Sequence, residues 1–194
     1  RAFFFANNEK NFKAEAAKRI RNRQITEAAL AKAVIEEYVV GAHINLNYFY
    51  SVIDGELELM GTDTRRQTNL DGFLRLPAAE QSMIRSYLEP KLIETGHYAV
   101  TMKESLVEKA LELGERFVAT MKKEVSPGII GPFALQGAVV ADEGREDFVI
   151  FDVSMRIPGS PGTKFTPYSG YLYGDSVSYG ERIAMELKAA VKTK

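Results

Sequence analysis

The sequence predicts an α+β fold, an antiparallel sheet flanked by helices, and three observations predict it. Asp54-Gly55 and Glu143-Gly144 each join two alternating apolar and polar stretches, which is a hairpin signal. Between the hairpins, Leu106, Ala110, Leu113, Phe117 and Met121 recur at spacings of three and four, an apolar stripe on a helix from Glu104 to about Val125.

In chain order, Ala2–Ala6 reads as a strand and Asn7-Asn8 as the turn and cap of a helix over Glu9–Arg21. A short helical stretch, Glu27–Lys32, gives way to the extended segment Ala33–Gly41. Ile44, Leu46, Tyr48 and Tyr50 then alternate with His43, Asn45, Asn47 and Phe49, which predicts a strand with one polar face. The hairpin returns as a strand over Glu56–Gly61. The polar run Thr62–Gly72 has neither helical nor strand period and reads as a loop. Pro77 opens a helix reaching about Leu88, and a short strand is expected near Tyr98–Met102.

Ser126-Pro-Gly128 ends the long helix. The second hairpin takes in Ile129–Val140 and Phe148–Met155, and a turn centred on Gly144 sets Gln136 opposite Asp152. Pro158–Tyr179 reads as a loop rich in Gly, Pro, Ser and Tyr. Ser178 and Glu181 form a capping box for a last helix that packs Ile183, Leu187 and Ala190.

The 194 residues suffice for one sizeable domain, and 25 basic against 26 acidic residues give no bulk attraction to nucleic acid or anionic membrane. The lack of cysteine excludes disulfides, thiolate nucleophiles and cysteine-bound zinc. With His43 and His97 the only histidines, a metal is expected on oxygen ligands, and magnesium is the expected ion. No apolar run approaches the roughly 20 residues of a membrane span, so a cytoplasmic protein is expected. Arg1 opens directly on an apolar run with no initiator methionine, which predicts that the sequence starts inside a larger protein.

The strand Asp147–Arg156 carries the most chemistry. Alternation puts Asp152, Ser154 and Arg156 on one face and Val149, Phe151, Val153 and Met155 on the other. Gln136, Asp152 and Ser154, with Arg156 beyond them, suit a magnesium-bound polyphosphate: the ion takes hard oxygen donors and the arginine neutralises charge on a transferred phosphoryl group. A surface strand with a weak Asp–Arg pair explains the same residues equally well.

Ile35-Glu-Glu-Tyr-Val-Val-Gly41 is either a helix-to-strand junction or a hinge that meets an adenine edge through backbone groups and one Glu, with Tyr38 or Val39 beside the ring. Arg65, Arg66, Gln67 and Asn69 are either a solvated loop or an anion site. His97 reads as a surface or capping histidine, and Tyr168, Tyr171, Tyr173 and Tyr179 as packing and loop anchors, with substrate contact as the alternative.

Taken in order, these pieces resemble the ATP-grasp superfamily. More closely, the sequence is similar to the C-terminal part of the archaeal formate-dependent 5-formaminoimidazole-4-carboxamide ribonucleotide (FAICAR) synthetases, the PurP family. The resemblance is carried by Ile35–Gly41, Asn45-Leu-Asn-Tyr-Phe-Tyr-Ser51, Asn69-Leu-Asp-Gly72, Lys103-Glu-Ser-Leu106, Gly131-Pro-Phe-Ala-Leu-Gln136, Phe151-Asp-Val-Ser154 and Gly180–Lys188. It implies an ATP-grasp C-terminal domain over 37–194 and a remnant of the lid subdomain over 1–36.

The resemblance further implies a homo-oligomeric ligase that uses ATP and formate to formylate the amine of 5-aminoimidazole-4-carboxamide ribonucleotide (AICAR) through formyl phosphate, in IMP biosynthesis. Glu36, Glu37, Tyr38 and Val39 would flank the adenine, with His43 and Asn45 also at the nucleotide. Gln67 and Asn69 would approach phosphates or substrate, and His97 would meet the ribonucleotide. Gln136 and Asp152 would hold Mg2+, with Mn2+ as the alternative ion, and Arg156 would be catalytic. The family pattern has Glu at Asp152, Asn at His97, a hinge Glu near His43 and a different loop at Pro158–Gly162. Those departures leave open a paralogous carboxylate-amine ligase with another acceptor, or a nucleotide-binding module without catalysis.

Overall fold

A computed structural model describes residues 3–88, 91, 93–159 and 162–192. The chain divides into two compact units, Arg1–Tyr38 and Val39–Lys194, so the divide falls after Tyr38.

In the first unit, Asn8 caps α1 (Glu9–Arg21) by accepting the Asn11 N–H at 2.8 Å, and Thr26 caps α2 (Glu27–Leu30) by accepting the Ala29 N–H at 3.1 Å. The strand expected at Ala2–Ala6 is not formed over the described residues 3–6; residue 2 lies outside them. Ring packing takes its place. Phe4 lies 5.5 Å from Phe12 with the Arg19 guanidinium over its face, and Phe5 meets Tyr38 edge-on at 4.7 Å.

The second unit runs β1 (Ala42–Tyr50), β2 (Leu57–Gln67), α3 (Thr68–Phe73), α4 (Ala78–Ile84), β3 (Glu94–Ala99), α5 (Glu104–Glu124), β4 (Gly131–Asp142), β5 (Arg145–Ser154), a 3-10 turn (Gly162–Phe165), α6 (Tyr168–Tyr173) and α7 (Tyr179–Lys192). Its five strands form one sheet in the order β3-β2-β1-β4-β5, and every neighbouring pair is antiparallel. This is the expected α+β arrangement of an antiparallel sheet with helices around it.

One sheet face is the core. Ile44, Leu46, Tyr48 and Tyr50 join Leu59, Phe133, Leu135 and Phe148 against Leu106, Ala110 and Val118 of α5. Tyr48 is fully buried, stacks on Phe133 at 5.0 Å and donates its hydroxyl to the Ala110 carbonyl at 2.6 Å, so the phenol has a partner where burial would otherwise penalise it. Gly114 lets the helix come this close: a Cβ there would stand 2.6 Å from Leu57 Cδ2 and 2.8 Å from Tyr48 Cε1.

The opposite face is divided. At one end, Phe49, Met60 and Tyr179 form a second apolar cluster under α7. Arg182 of α7 is buried there, bonded to both carboxylate oxygens of buried Glu58 and to Glu186 at 3.0 Å, with its guanidinium 4.3 Å from the Phe49 ring centre. Glu186 in turn accepts from Ser51 Oγ and the backbone N–H groups of Val52 and Ile53, which ties the β1–β2 turn to α7. The expected Ser178–Glu181 capping box is formed in both directions. These bonds and the nearby Lys164 hold the Glu181 carboxyl down to about 2.

Several sequence expectations change. The run Thr62–Gly72 is no loop: β2 continues to Gln67 and α3 follows, because polar strand residues here face a polar site rather than solvent. The expected helix after Pro77 is shorter, Ala78–Ile84, and the strand near Tyr98 lies earlier, at Glu94–Ala99. Pro158–Tyr179 contains a 3-10 turn and α6. Leu187 is exposed on α7, where the buried position is taken by Arg182 instead.

The register of β5 also departs from simple alternation. A bulge between Gln136 and Gly137 leaves Phe151 as the extra residue, so Val149 opposes Ala138 while Val153 opposes Leu135. Val149 and Val153 therefore lie on opposite faces. Phe151 turns toward His43, with ring centres 5.6 Å apart. Gly137 permits the bulge, since a Cβ there would stand 2.4 Å from the Val149 carbonyl oxygen.

Candidate functional site

The uncovered end of the polar sheet face holds a cavity of about 90 Å³, lined by residues of β1, β2, β3, β4, β5 and the segment after β5. At roughly 30 Å³ per water it has room for a few waters or one small polar group. Its floor is Asp63, fully buried on β2. Asn45 and Asn47 of β1 each donate an amide N–H to it at 2.6 Å, one to each carboxylate oxygen. His97 of β3 approaches Oδ1 with its Nδ1 at 2.5 Å, while its Nε2 meets Glu94 Oε1 at 2.8 Å. Strand pairing makes this convergence: Asn45 opposes Asp63 across β1–β2 and Gln136 across β1–β4.

Burial disfavours a charged His97, but hydrogen bonds and charge from Asp63 and Glu94 outweigh it, and the pKa is raised above 6.5. When protonated, the ring donates from both nitrogens. His43 shifts the other way, lowered by desolvation and then by the charge of Arg65. Arg65 bonds Gln136 Oε1 and lies 3.3 Å from Glu94. The cavity therefore has a carboxylate and amides at its base, and Arg65, His97 and Arg156 around it.

Asn45, His97, Gln136 and Arg156 of the sequence-derived set line the cavity together. Asp152 opposes Gln136, the pairing the register anticipated, but its side chain is exposed and accepts the N–H of Val153 at 3.0 Å. Gln67 ends β2 opposite Glu94 and Asn69 lies on α3; neither lines the cavity. Glu36, Glu37 and Tyr38 belong to the first unit and Val39 to the second. His43 borders a smaller recess with Asn45, Arg65 and Phe151.

Sequence reasoning missed Asp63 and Glu94 and gave Asn47 no role. The signal lay in continued alternation beyond Gly61, where Asp63, Arg65 and Gln67 fall on every second position. Among the described residues, no group of three or more His, Asp or Glu side chains converges to hold a metal ion, and no helix is long and apolar enough to cross a membrane. Gln136 and Asp152 supply one amide and one carboxylate oxygen, donors suited to a hard ion that draws its other ligands from phosphate and water.

An antiparallel sheet with one apolar face and one face of amides, buried carboxylate and arginines defines an α+β domain built to present polar groups in a small cavity. The chain belongs to the family described as a domain of unknown function, DUF1297, whose model matches residues 11–194. It is 40% identical over 170 residues to the 5-formaminoimidazole-4-carboxamide-1-(beta)-D-ribofuranosyl 5'-monophosphate synthetase of Methanococcus maripaludis, covering 87% of this chain and 46% of that protein. With the Methanopyrus kandleri protein of the same name it shares 37% identity over 190 residues, 98% of this chain and 52% of that protein.

Among solved structures it is similar to an IMP biosynthesis protein PurP from Thermococcus kodakaraensis, with a TM-score of 0.65, 32% identity and coverage of 81% of this chain and 48% of that one. The chain thus spans about half the length of these relatives.

Proposed function

We propose that this domain is part of an ATP-grasp ligase that uses ATP and formate to formylate the amine of AICAR, giving FAICAR in IMP biosynthesis. The observation that carries the reading is the cavity itself: Arg65, Gln136 and Arg156 line it together on one sheet face, and Asp152 pairs with Gln136 at its edge. The FAICAR synthetase names of relatives similar over nearly the whole chain point to the product. In the first step a formate oxygen attacks the γ-phosphorus of ATP and ADP leaves, giving formyl phosphate. In the second the AICAR amine attacks the formyl carbon, phosphate leaves and the nitrogen loses a proton.

Both steps require positioned partners and charge neutralisation more than a strong base. Arg156 and Arg65 place positive charge at the cavity for phosphoryl oxygens, and Gln136 and Asp152 would hold Mg2+ or Mn2+, whose contribution is to neutralise phosphate charge. Under this reading Glu36, Glu37, Tyr38 and Val39 meet the adenine, His43 and Asn45 the nucleotide, and Gln67 and Asn69 the phosphates or substrate. His97 meets the ribonucleotide, and the assembled enzyme is a homo-oligomer. His97 held between Asp63 and Glu94, where the family pattern has Asn, favours as second reading a paralogous ligase with another acceptor.

The test is product analysis on full-length protein with ATP, formate and AICAR. FAICAR formation that falls at least tenfold in Gln136→Ala and Asp152→Ala is expected, along with loss of the thermal stabilisation given by Mg-ATP. No FAICAR from the wild type, with turnover of another amine, selects the second reading.

A further inference from the structure

Asn47 is fully buried, lines the cavity, and has one amide oxygen, Oδ1, with no hydrogen-bond partner. Its orientation follows from its hydrogen bond: the Asn47 NH2 group donates to Asp63 Oδ2 at 2.6 Å, so Oδ1 points away from Asp63. Asn45 and His97 saturate the other carboxylate oxygen and keep Asp63 from turning. A buried acceptor without a donor is costly, and such exceptions call for an explanation. A ligand that brings an N–H bond removes the deficit.

We propose that Asn47 is a specificity residue of this site: Oδ1 accepts a hydrogen bond from the NH2 of a ligand carboxamide, and the site rejects the matching carboxylate. The proposal rests on the ligase reading above, whose substrate carries a carboxamide. The cavity of about 90 Å³ has room for a group of that size. A ligand carboxylate there would set its charge against Oδ1 and the buried Asp63, with no donor from either. Arg65 and Arg156 line the same cavity and are the sites for a ligand's anionic parts.

The test compares the affinity of full-length protein for AICAR and for its 4-carboxylate analogue by titration calorimetry. A site built around a ligand N–H discriminates strongly, so the wild type is expected to prefer the carboxamide by about 100-fold or more. Asn47→Leu leaves Asp63 its bonds from Asn45 and His97, and is expected to cut the preference to below about tenfold while Mg-ATP affinity is kept. Should Asn47→Leu not fold, Asn47→Ser, too short to reach the ligand, carries the same comparison.

A wild type that binds both ligands equally, or a variant that keeps the full preference, overturns the assignment of Asn47 and leaves the ligase reading standing. Binding of neither ligand overturns both.

Discussion

Replacing Arg182 with Met tests what anchors α7 to the sheet. The guanidinium bonds Glu58 at 2.9 and 2.8 Å through Nε and at 2.6 Å through Nη2, and both side chains are almost wholly removed from water, at 4% and 7% exposure. Met fills much of the arginine volume over Phe49, so packing changes little. What changes is charge: Glu58 keeps the Tyr173 hydroxyl at 2.8 Å but loses its cation. Removing one partner of a buried pair costs about 3–5 kcal/mol, against less than about 1 kcal/mol for an exposed pair.

For a domain of this size each kcal/mol lowers the melting temperature by about 2–4 °C, so a fall of roughly 6–20 °C is expected in scanning calorimetry at pH 7. The double variant Arg182→Met with Glu58→Met removes the stranded charge and should recover most of the loss, since apolar replacement of a whole buried pair is often neutral or stabilising. A single-variant loss below about 1 kcal/mol, or a double variant no better than the single, would refute the argument that a desolvated pair holds α7 in place.

Other consequences can be measured on the same protein. The folded pKa of His97 is raised above 6.5, so its ion pairs stabilise the fold fully below about pH 6.5 and the contribution is lost as pH rises through the higher folded value. Melting temperature should fall over that alkaline step in the wild type and not in His97→Asn. Burial opposes ionisation of Glu186, but Ser51 and Arg182 outweigh it and its pKa is lowered; that stability is present above about 4.5 and lost as pH falls through the folded value. Glu186→Gln should flatten the acid limb of the melting profile. Gly114→Ala forces a Cβ against Leu57 and Tyr48, and overpacking of about 1–3 kcal/mol should outweigh the gain of about 1 kcal/mol in helix propensity, read as a lower urea midpoint.

Much of the fold is legible in the sequence because its signals are local. The α5 stripe, the Asn8 cap, the Ser178–Glu181 box and the Glu143-Gly144 turn each rest on residues within a few positions of one another. The positive φ of Glu143 and Gly144 is what a two-residue turn requires. The second half of β2 failed the same kind of reading. Thr62, Asp63, Thr64, Arg65 and Arg66 lack apolar alternation, and only β1 and β3 on either side make them strand. Asp63 could not be singled out because its three partners come from other strands, at separations that no local period reveals.

The bulge in β5 shows how one local irregularity serves both the pairing and the site. Strict two-residue pairing from the Glu143-Gly144 turn opposes Asp142 to Arg145 and carries Gly137 to Ile150. Continued unchanged, it would set Gln136 against Phe151 and give the amide an apolar neighbour. The extra residue shifts the frame by one, so that Gln136 meets Asp152 and Ala134 meets Ser154 on the cavity face, while Val153 keeps Leu135 as its core-side partner. Gly137 is where that shift occurs, and the close approach of the Val149 carbonyl excludes a side chain there. Polar groups on β5 therefore reach the site through one extra residue in β5, opposite a glycine of β4.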